Sequence, residues 1–375
     1  RFLLTREEQS FGIVMTQPTP TTAPPALLNI TLGVMLALML GWFFHIASGV
    51  LVPMVLGLMI SYVVMAVARL TGTIPWIGVR LSPGLRLAVA AVLICYGLVQ
   101  LVTLLAANLA AFASSAPEYQ TRLLAAVQTL ANMAGFQGDL TWETLRSDLF
   151  GQINLQSALR SGVASSVALL GGLIFVLLNV VFMLLERGSF DAKLDKMVPD
   201  GEGSIRLRKV IEDINGRVGR YLVVKTLINI ALGVLCYGIM LAYGLEFAVL
   251  WAIVIALVNY IPYIGSFIGV AVPGVIALGQ FGLTDEVITL ILFLSAAQFL
   301  VGNVLEPQVM GTSMDLSPYA VLISLTVWTA LWGIAGAIAA IPITAVMVIV
   351  LSEFSATRPI AILLSRSGGQ SERRG

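Results

Sequence analysis

Three short segments of this 375-residue chain place polar groups among apolar neighbours. The first is Asn259-Tyr260-Ile261-Pro262-Tyr263-Ile264-Gly265-Ser266, with Gly269 a turn further on. Pro262 removes a helix donor and frees carbonyls near Ala256–Val258. Gly265 and Gly269 let a second backbone approach closely. Asn259, Tyr260, Tyr263 and Ser266 surround the break with amide and hydroxyl groups that suit a small polyhydroxylated ligand. A proline-kinked packing joint with satisfied amides is the alternative. The second segment is Gly302–Gly311, where Glu306 stands between Asn303 and Gln308 and Pro307 forces a break. A carboxylate in such a setting is costly to hold, so Glu306 is the candidate site for a coupling proton or sodium ion, or else a helix-ending cap. The third is Trp332-Gly333-Ile334-Ala335-Gly336, running on through small residues to Pro342.

What these groups can do depends on their surroundings, and composition defines those. Hydrophobic residues make up 58% of the chain and charged residues 11%, with mean hydropathy +0.95. A soluble domain carries about 25% charged residues. The surface of a soluble enzyme could not be covered from so small a supply, and a disordered scaffold or nucleic-acid binder is excluded with it. The chain reads as an all-α, polytopic membrane protein. Cys95 and Cys236 lie within apolar runs and read as small buried hydrophobes. His45 is the only histidine, so a histidine-based metal centre is excluded by counting; with Trp42, Phe43 and Phe44 it forms an interfacial belt. There is no Gly-Lys pair for a Walker A loop and no His-Glu-x-x-His. Neither enzymatic activity nor a cofactor is expected.

A helix needs about 20 apolar residues to cross a bilayer. Six stretches qualify as spans: Leu27–Phe44, Leu51–Ala68, Leu85–Phe112, Val163–Leu185, Tyr221–Tyr243 and Val287–Val301. Two more, Phe247–Gly279 and Tyr319–Leu351, are interrupted by Gly and Pro and read as re-entrant or paired-helix units. Basic residues cluster in Arg69–Arg86, in 186–220 and at the C-terminus, whereas 113–162 holds Glu118, Asp139, Glu143 and Asp148 against three arginines. The positive-inside rule puts the first three on the cytoplasmic side, with both termini, and 113–162 outside. The chain thus divides into a disordered tail (1–26), three spans (27–112), an extracytoplasmic helical cap (113–162), a fourth span (163–185), a cytoplasmic segment with a basic amphipathic helix (186–220), a core of two broken units (221–357) and a cytoplasmic tail (358–375). Lys225, on the span Tyr221–Tyr243, is expected to snorkel to the inner interface. Translation is expected to begin at Met15, leaving 1–14 outside the native chain, and Leu27–Phe44 lacks the basic flank of a cleavable signal peptide.

The two broken units resemble one another. Phe247-Ala-Val-Leu250 matches Tyr319-Ala-Val-Leu322, and each unit continues through a Gly-rich break to a proline, Pro273 or Pro342. Glu246 and Asp315 stand before them in corresponding places, as water-facing entrances. A span followed by a hairpin, repeated upside down, is the architecture of alternating-access transporters, whose substrate sites lie where interrupted helices meet. A small polar solute, the lipid bilayer and H⁺ or Na⁺ are the expected partners. A non-transporting scaffold or receptor would not need two broken units.

Asn259-Tyr-Ile-Pro-Tyr-Ile-Gly265, Gly302-Asn-Val-Leu-Glu-Pro-Gln-Val-Met-Gly311, Leu316-Ser-Pro318 and Trp332-Gly-Ile-Ala-Gly336 ending at Ile341-Pro342 resemble, in order and spacing, the autoinducer-2 exporter family of bacterial transporters. The resemblance implies a multi-pass protein of the inner membrane, export of that quorum-sensing signal or a similar metabolite, and homo-oligomers, with pentamers foremost. Sodium/proton antiport is the alternative activity it implies. Thr312-Ser-Met-Asp315 departs from the family, where a basic residue often follows the glycine.

The topology is tested by cysteine labelling. In a background lacking Cys95 and Cys236, Gln137→Cys and Ser204→Cys are expected to react with an impermeant thiol reagent from opposite faces of the membrane. Reaction of both from one face would reverse the reading of every loop between them.

Overall fold

The computed structural model describes residues 26–73, 81–133, 155–197, 202–310, 314–366 and 368. Among them the chain is helical throughout, with one isolated antiparallel bridge, Leu316 to Ser365. Apart from Ala26, the tail expected over 1–26 lies outside the described residues, as do the stretch 134–154 of the expected cap and the link Gly311-Thr-Ser313. Helix α1 (Ala26–Ile46) forms a unit of its own and is apolar round its whole circumference.

The remaining helices are α2 (Ser48–Thr73), α3 (Pro83–Met133), α4 (Leu155–Met197), α5 (Glu202–Ala242), α6 (Ala248–Val258), α7 (Ile264–Phe281), α8 (Asp285–Phe299), α9 (Glu306–Met310), α10 (Pro318–Glu353) and α11 (Arg358–Leu364). Seven helical stretches among the described residues are long and apolar enough to cross a membrane. They include every expected span except the first, whose described apolar stretch Ile30–Ile46 is shorter, and they add α7 and α10. The spans also continue beyond the bilayer. The helix of α3 runs on to Met133, and the amphipathic stretch Ser204–Arg220 is the first half of α5, unbroken into the membrane.

Both interrupted units are hairpins. In the first, α6 and α7 are about 16 and 27 Å long at 1.5 Å per residue, and the chain reverses between Asn259 and Tyr263. Gly265 lies so close to the end of α6 that an added Cβ would stand 2.5 Å from Val258 O and from Asn259 Cα. A Cβ on Gly269 would be 3.5 Å from Ile255 Cγ1, on the other arm. The second hairpin lies inside α10, where Gly333 adopts φ 62°, ψ −142° and splits the helix into two arms. A Cβ on Gly336 would come within 2 Å of Trp328 O, eight residues earlier. The indole Nε1 of Trp328 donates to Thr344 Oγ1 at 3.2 Å, sixteen residues on. In a straight helix those two residues would be about 24 Å apart.

Each hairpin has a pinned entrance. Before α6, Phe247 is left-handed (φ 56°). Gln280, at the end of α7, accepts from Glu246 N at 2.8 Å and donates to Gly244 O at 2.9 Å. Before α10, Asp315 has φ 40°, and its strand-like turn is held by the segment after α11: Ser317 N donates to Leu364 O and Arg366 N to Asp315 O, both at 2.9 Å. The expected tail from 358 onward begins as a helix docked on this turn.

Helix α5 is the element both hairpins share. The first hairpin packs on α3, α5 and α8 through a core that includes Leu232, Cys236, Leu250, Ile255, Leu290 and Leu294. The second packs on α2 and α5 through Met59, Leu222, Ala339 and Ile341. Gly233 lets α6 come close enough for a Cβ there to meet Ala256 Cβ at 3.0 Å, the small-on-small packing of membrane helices. At the far end, Phe112 of α3 meets Trp251 and Phe247 edge-on, with ring centroids 5.1 and 5.5 Å apart, and Tyr119 donates to Glu246 Oε2 at 2.7 Å.

The tightness of the second hairpin gives a stability test. Gly336→Ala must displace the Trp328 backbone, and overpacking of this kind costs about 1–3 kcal/mol. Gly238→Ala on α5 meets nothing within 4 Å and is expected to be neutral or to stabilise by about 0.4–1 kcal/mol. Thermal unfolding in detergent should separate the two. Equal midpoints would contradict the folded-back α10.

Candidate functional site

Among the described residues, the buried polar side chains of Lys225, Asn229, Asn259 and Gln298 gather around the first hairpin. Tyr221, Lys225 and Asn229 follow one another at four-residue spacing and so share one face of α5. All three are buried. Lys225 donates through Nζ to both oxygens of Glu306, at 2.6 Å to Oε1 and 2.8 Å to Oε2. Its side chain is 3% exposed and that of Glu306 is 24% exposed. The expectation that Lys225 snorkels to the interface is therefore corrected: its ammonium is taken up by a carboxylate 81 residues away. The next residue, Thr226, donates through Oγ1 to Leu222 O at 2.6 Å, and that oxygen lies 2.7 Å from the Tyr260 hydroxyl. A further turn on, Asn229 Oδ1 accepts from Asn259 Nδ2 at 2.8 Å, both side chains buried.

Glu306 reaches Lys225 because α8 does not end as a regular helix. Residues Leu300–Leu305 form a π-helical turn, and Glu306 N donates to Val301 O, five residues back. The wider turn rotates the following residues relative to α8, and such turns recur at functional sites. Asn303, within it, donates back to Phe299 O at 3.3 Å. Glu306 thus opens α9 instead of closing α8.

Two cavities flank the first hairpin. One, ≈ 410 Å³, lies between α7 and the α8–π segment and is lined by Ser266, Phe267, Ser295, Gln298, Phe299 and Asn303 among others. Gln298 is 5% exposed, and neither its Oε1 nor its Nε2 has a hydrogen-bond partner among the described residues. Its amide is pressed against Gly269, where any Cβ would collide with it at 2.2 Å from Nε2. The other cavity, ≈ 500 Å³, lies between α3, α5 and α6. Thr226, Asn229 and Tyr260 supply its polar wall and Leu98 and Leu101 face them. Asn229 Nδ2 is buried without a partner among the described residues.

The residues singled out from sequence fall into three places. Asn259 and Tyr260 join α5 at the first break, with Pro262 and Gly265 forming the break itself and Tyr263 exposed on its outer side. Ser266 and Asn303 line the α7–α8 cavity and Gly269 backs Gln298. Gly333, Gly336 and Pro342 belong to the second hairpin, in the packing unit of α2 and α5, and Gln308 is exposed on α9. Thr226 and Gln298 were not singled out. Gln298 is the amide inside the apolar run Val287–Val301, and that isolation was its signal.

Compared with known proteins, residues 32–356 match the AI-2E family transporter model. The chain is 26% identical to the AI-2 transport protein TqsA of Escherichia coli K12 over 340 residues, covering 90% of this chain and 94% of that protein. It is 28% identical to the putative transport protein YhhT of the same organism, covering 85% and 89%. A putative transport protein of Borreliella burgdorferi is 31% identical over 52% of this chain and 54% of its own length.

The buried pair predicts an asymmetry. Glu306→Gln leaves the enclosed Lys225 ammonium without a carboxylate and is expected to destabilise by about 3–5 kcal/mol. Lys225→Met leaves Glu306 with some access to water and should cost less, and the double variant should recover most of the loss. A double-mutant cycle on thermal unfolding measures this. Equal, additive losses would show that the two groups do not share one buried environment.

Proposed function

The chain belongs to the AI-2E family of transporters and is a multi-pass membrane transporter, and from that premise we propose that it exports a small polar metabolite of the autoinducer-2 type by alternating access. The observation that carries this reading is Gln298, a buried amide with neither its acceptor nor its donor used. A buried amide without partners costs about 1–3 kcal/mol. A hydroxyl-rich solute in the cavity beside Gln298, Ser266 and Asn303 would replace its water shell with those groups and remove that cost. On the other face of the hairpin, Asn229 Nδ2, Thr226 and Tyr260 offer a second set of such groups. We read the hairpin α6–α7 as the element between two alternately used half-sites.

Internal inversion fits this reading. Both hairpins have pinned, left-handed entrances and a glycine crossing, as two copies of one span-plus-hairpin unit would. The orientation proposed is that of the charge pattern, in the inner membrane with both termini cytoplasmic, and the assembly proposed is a homo-oligomer.

A second reading, sodium/proton antiport, is favoured by the Lys225–Glu306 pair. Because both carboxylate oxygens are already held by Lys225 Nζ, a sodium ion would have to displace the ammonium. Protonation of Glu306 would release it instead. In either reading Glu306 is the coupling group and the pair is the latch.

Proteoliposome flux distinguishes the readings. Labelled autoinducer-2 is expected to exchange across the membrane, and Gln298→Leu to lower that exchange by at least about tenfold, equivalent to about 1.4 kcal/mol. The same variant should unfold at a higher temperature than wild type, because it removes two unpartnered buried polar atoms without changing volume much. Full exchange in a stabilised Gln298→Leu would overturn the site. Gradient-driven sodium or proton movement with no autoinducer-2 exchange would favour antiport.

A further inference from the structure

The first half of the chain holds a basic cleft that the transport site does not use. Arg69 stands near the end of α2, Arg86 in the first turn of α3 and Arg187 on α4. The fold gathers all three at the rim of one cleft of ≈ 1010 Å³. Sequence had assigned the segments carrying them to one side of the membrane by charge alone, and the structure brings them to one end of the helices. No acid lines the cleft among the described residues. The nearest acid in sequence to Arg187, Glu186, is paired with Lys193.

Arg86 is the central group. Its side chain lies across Gly72 of α2, where a Cβ would collide with Nη1 at 2.1 Å, so the glycine makes room for the guanidinium. Its Nε is buried and has no acceptor among the described residues. A guanidinium is built to give parallel hydrogen bonds to two oxygens of a phosphate or carboxylate. Gly84, in the first turn of α3, lines the same rim, so the positive end of a long helix dipole adds to the field there.

Away from the rim, the cleft is walled by Val92, Val181 and Leu185 among others. Val92 lies six positions beyond Arg86 and Val181 six positions before Arg187, so these walls run about 9 Å further along the helices. The cleft is therefore charged at one end and apolar along its length, and Val92 and Leu185 are exposed at its side. Free phosphate would use only the arginines. A molecule with a phosphate at one end and a hydrocarbon chain at the other uses the whole cleft.

We propose that this cleft binds the phosphodiester headgroup of an anionic phospholipid, with Arg86 as the principal ligand, Arg69 and Arg187 as its flanking charges, and an acyl chain along the α3–α4 wall. Such basic pockets between membrane helices are where acidic lipid headgroups bind. The bound lipid fastens α2, α3 and α4 together at one end.

The test uses the full-length protein in detergent, titrated with phosphatidylglycerol, phosphatidylcholine or inorganic phosphate. Retained lipid is read by native mass spectrometry and the unfolding midpoint by thermal melts. Phosphatidylglycerol is expected to be retained at least about fivefold over phosphatidylcholine and to raise the midpoint by several degrees, through ligand linkage. Arg86→Gln should abolish both effects, whereas Arg122→Gln, which removes an equal charge from an exposed pair elsewhere on α3, should keep them. Equal retention of the two lipids would overturn the proposal, as would loss of selectivity in both variants. Protection by millimolar inorganic phosphate equal to that of phosphatidylglycerol would assign the arginines to a free anion and overturn the lipid assignment. If Arg86→Gln does not fold, Arg69→Gln/Arg187→Gln serves in its place, and unchanged selectivity in that variant would count against the site.

Discussion

Inside a bilayer, a helix that stops must hand its unpaired N–H and C=O groups to some other part of the protein, because lipid offers them nothing. Two apolar helical units of this chain are interrupted, at Asn259–Tyr263 and at Gly333, and much of the surrounding structure follows from that. Gly265 and Gly336 bring the second arm of each hairpin onto the backbone of the first, so the freed groups face protein. Asn259 adds an amide to a partner on α5, and Trp328 ties its own arm to Thr344. Each hairpin is also pinned where it begins, by Gln280 before α6 and by Leu364 and Arg366 before α10.

Helix α5 answers both breaks at once, which makes it the structural axis of the second half. Its face of Tyr221, Lys225 and Asn229 is polar at a depth where its other neighbours are Leu222, Ile228 and Leu232. A buried ion pair is seldom a net source of stability, since its attraction is offset by the loss of hydration. The Lys225–Glu306 bond is better understood as a constraint on register. It fixes α5 against the π turn at Leu300–Leu305, and through Met310, which packs against both apolar cores, it bears on the position of both hairpins. The unpartnered amide of Gln298 and the unpartnered Nδ2 of Asn229 lie beside the same hairpin.

The apolar runs, the two interruptions and the family resemblance were all legible in the sequence, because each is a local pattern. Hydropathy reads a span within about 20 residues, and Gly and Pro mark a break where they stand. The chemistry was legible only in part. Asn259 and Glu306 were recognised as polar groups in apolar surroundings, but the partner of Glu306 lies 81 residues away. Lys225, seen alone, resembles any lysine near a helix end. Nothing local distinguishes a lysine that snorkels from one that is paired. The docking of α11 on the entrance of α10 is another long-range contact, made by backbone groups that carry no residue signature. Gln298 is the opposite case. It was visible as an amide in an apolar run, and what sequence did not reveal was that nothing nearby would satisfy it.

The two halves of the chain are packed differently. Helices α2, α3 and α4 meet around Val64, Ala90 and Val180, and a Cβ on Gly57 of α2 would stand 2.9 Å from Asn179 Cβ of α4. The second half carries a larger apolar core, with polar contacts set at its breaks: a glycine crossing, a pair of amides, one ion pair. A hydrogen bond at a break can be exchanged for another one with a solute, whereas a packed apolar face has only itself to pack against. Leaving Gln298 and the Nδ2 of Asn229 unsatisfied beside the first hairpin costs stability at that element. Under the alternating-access proposal, binding of a polar solute there would stabilise the element that changes position.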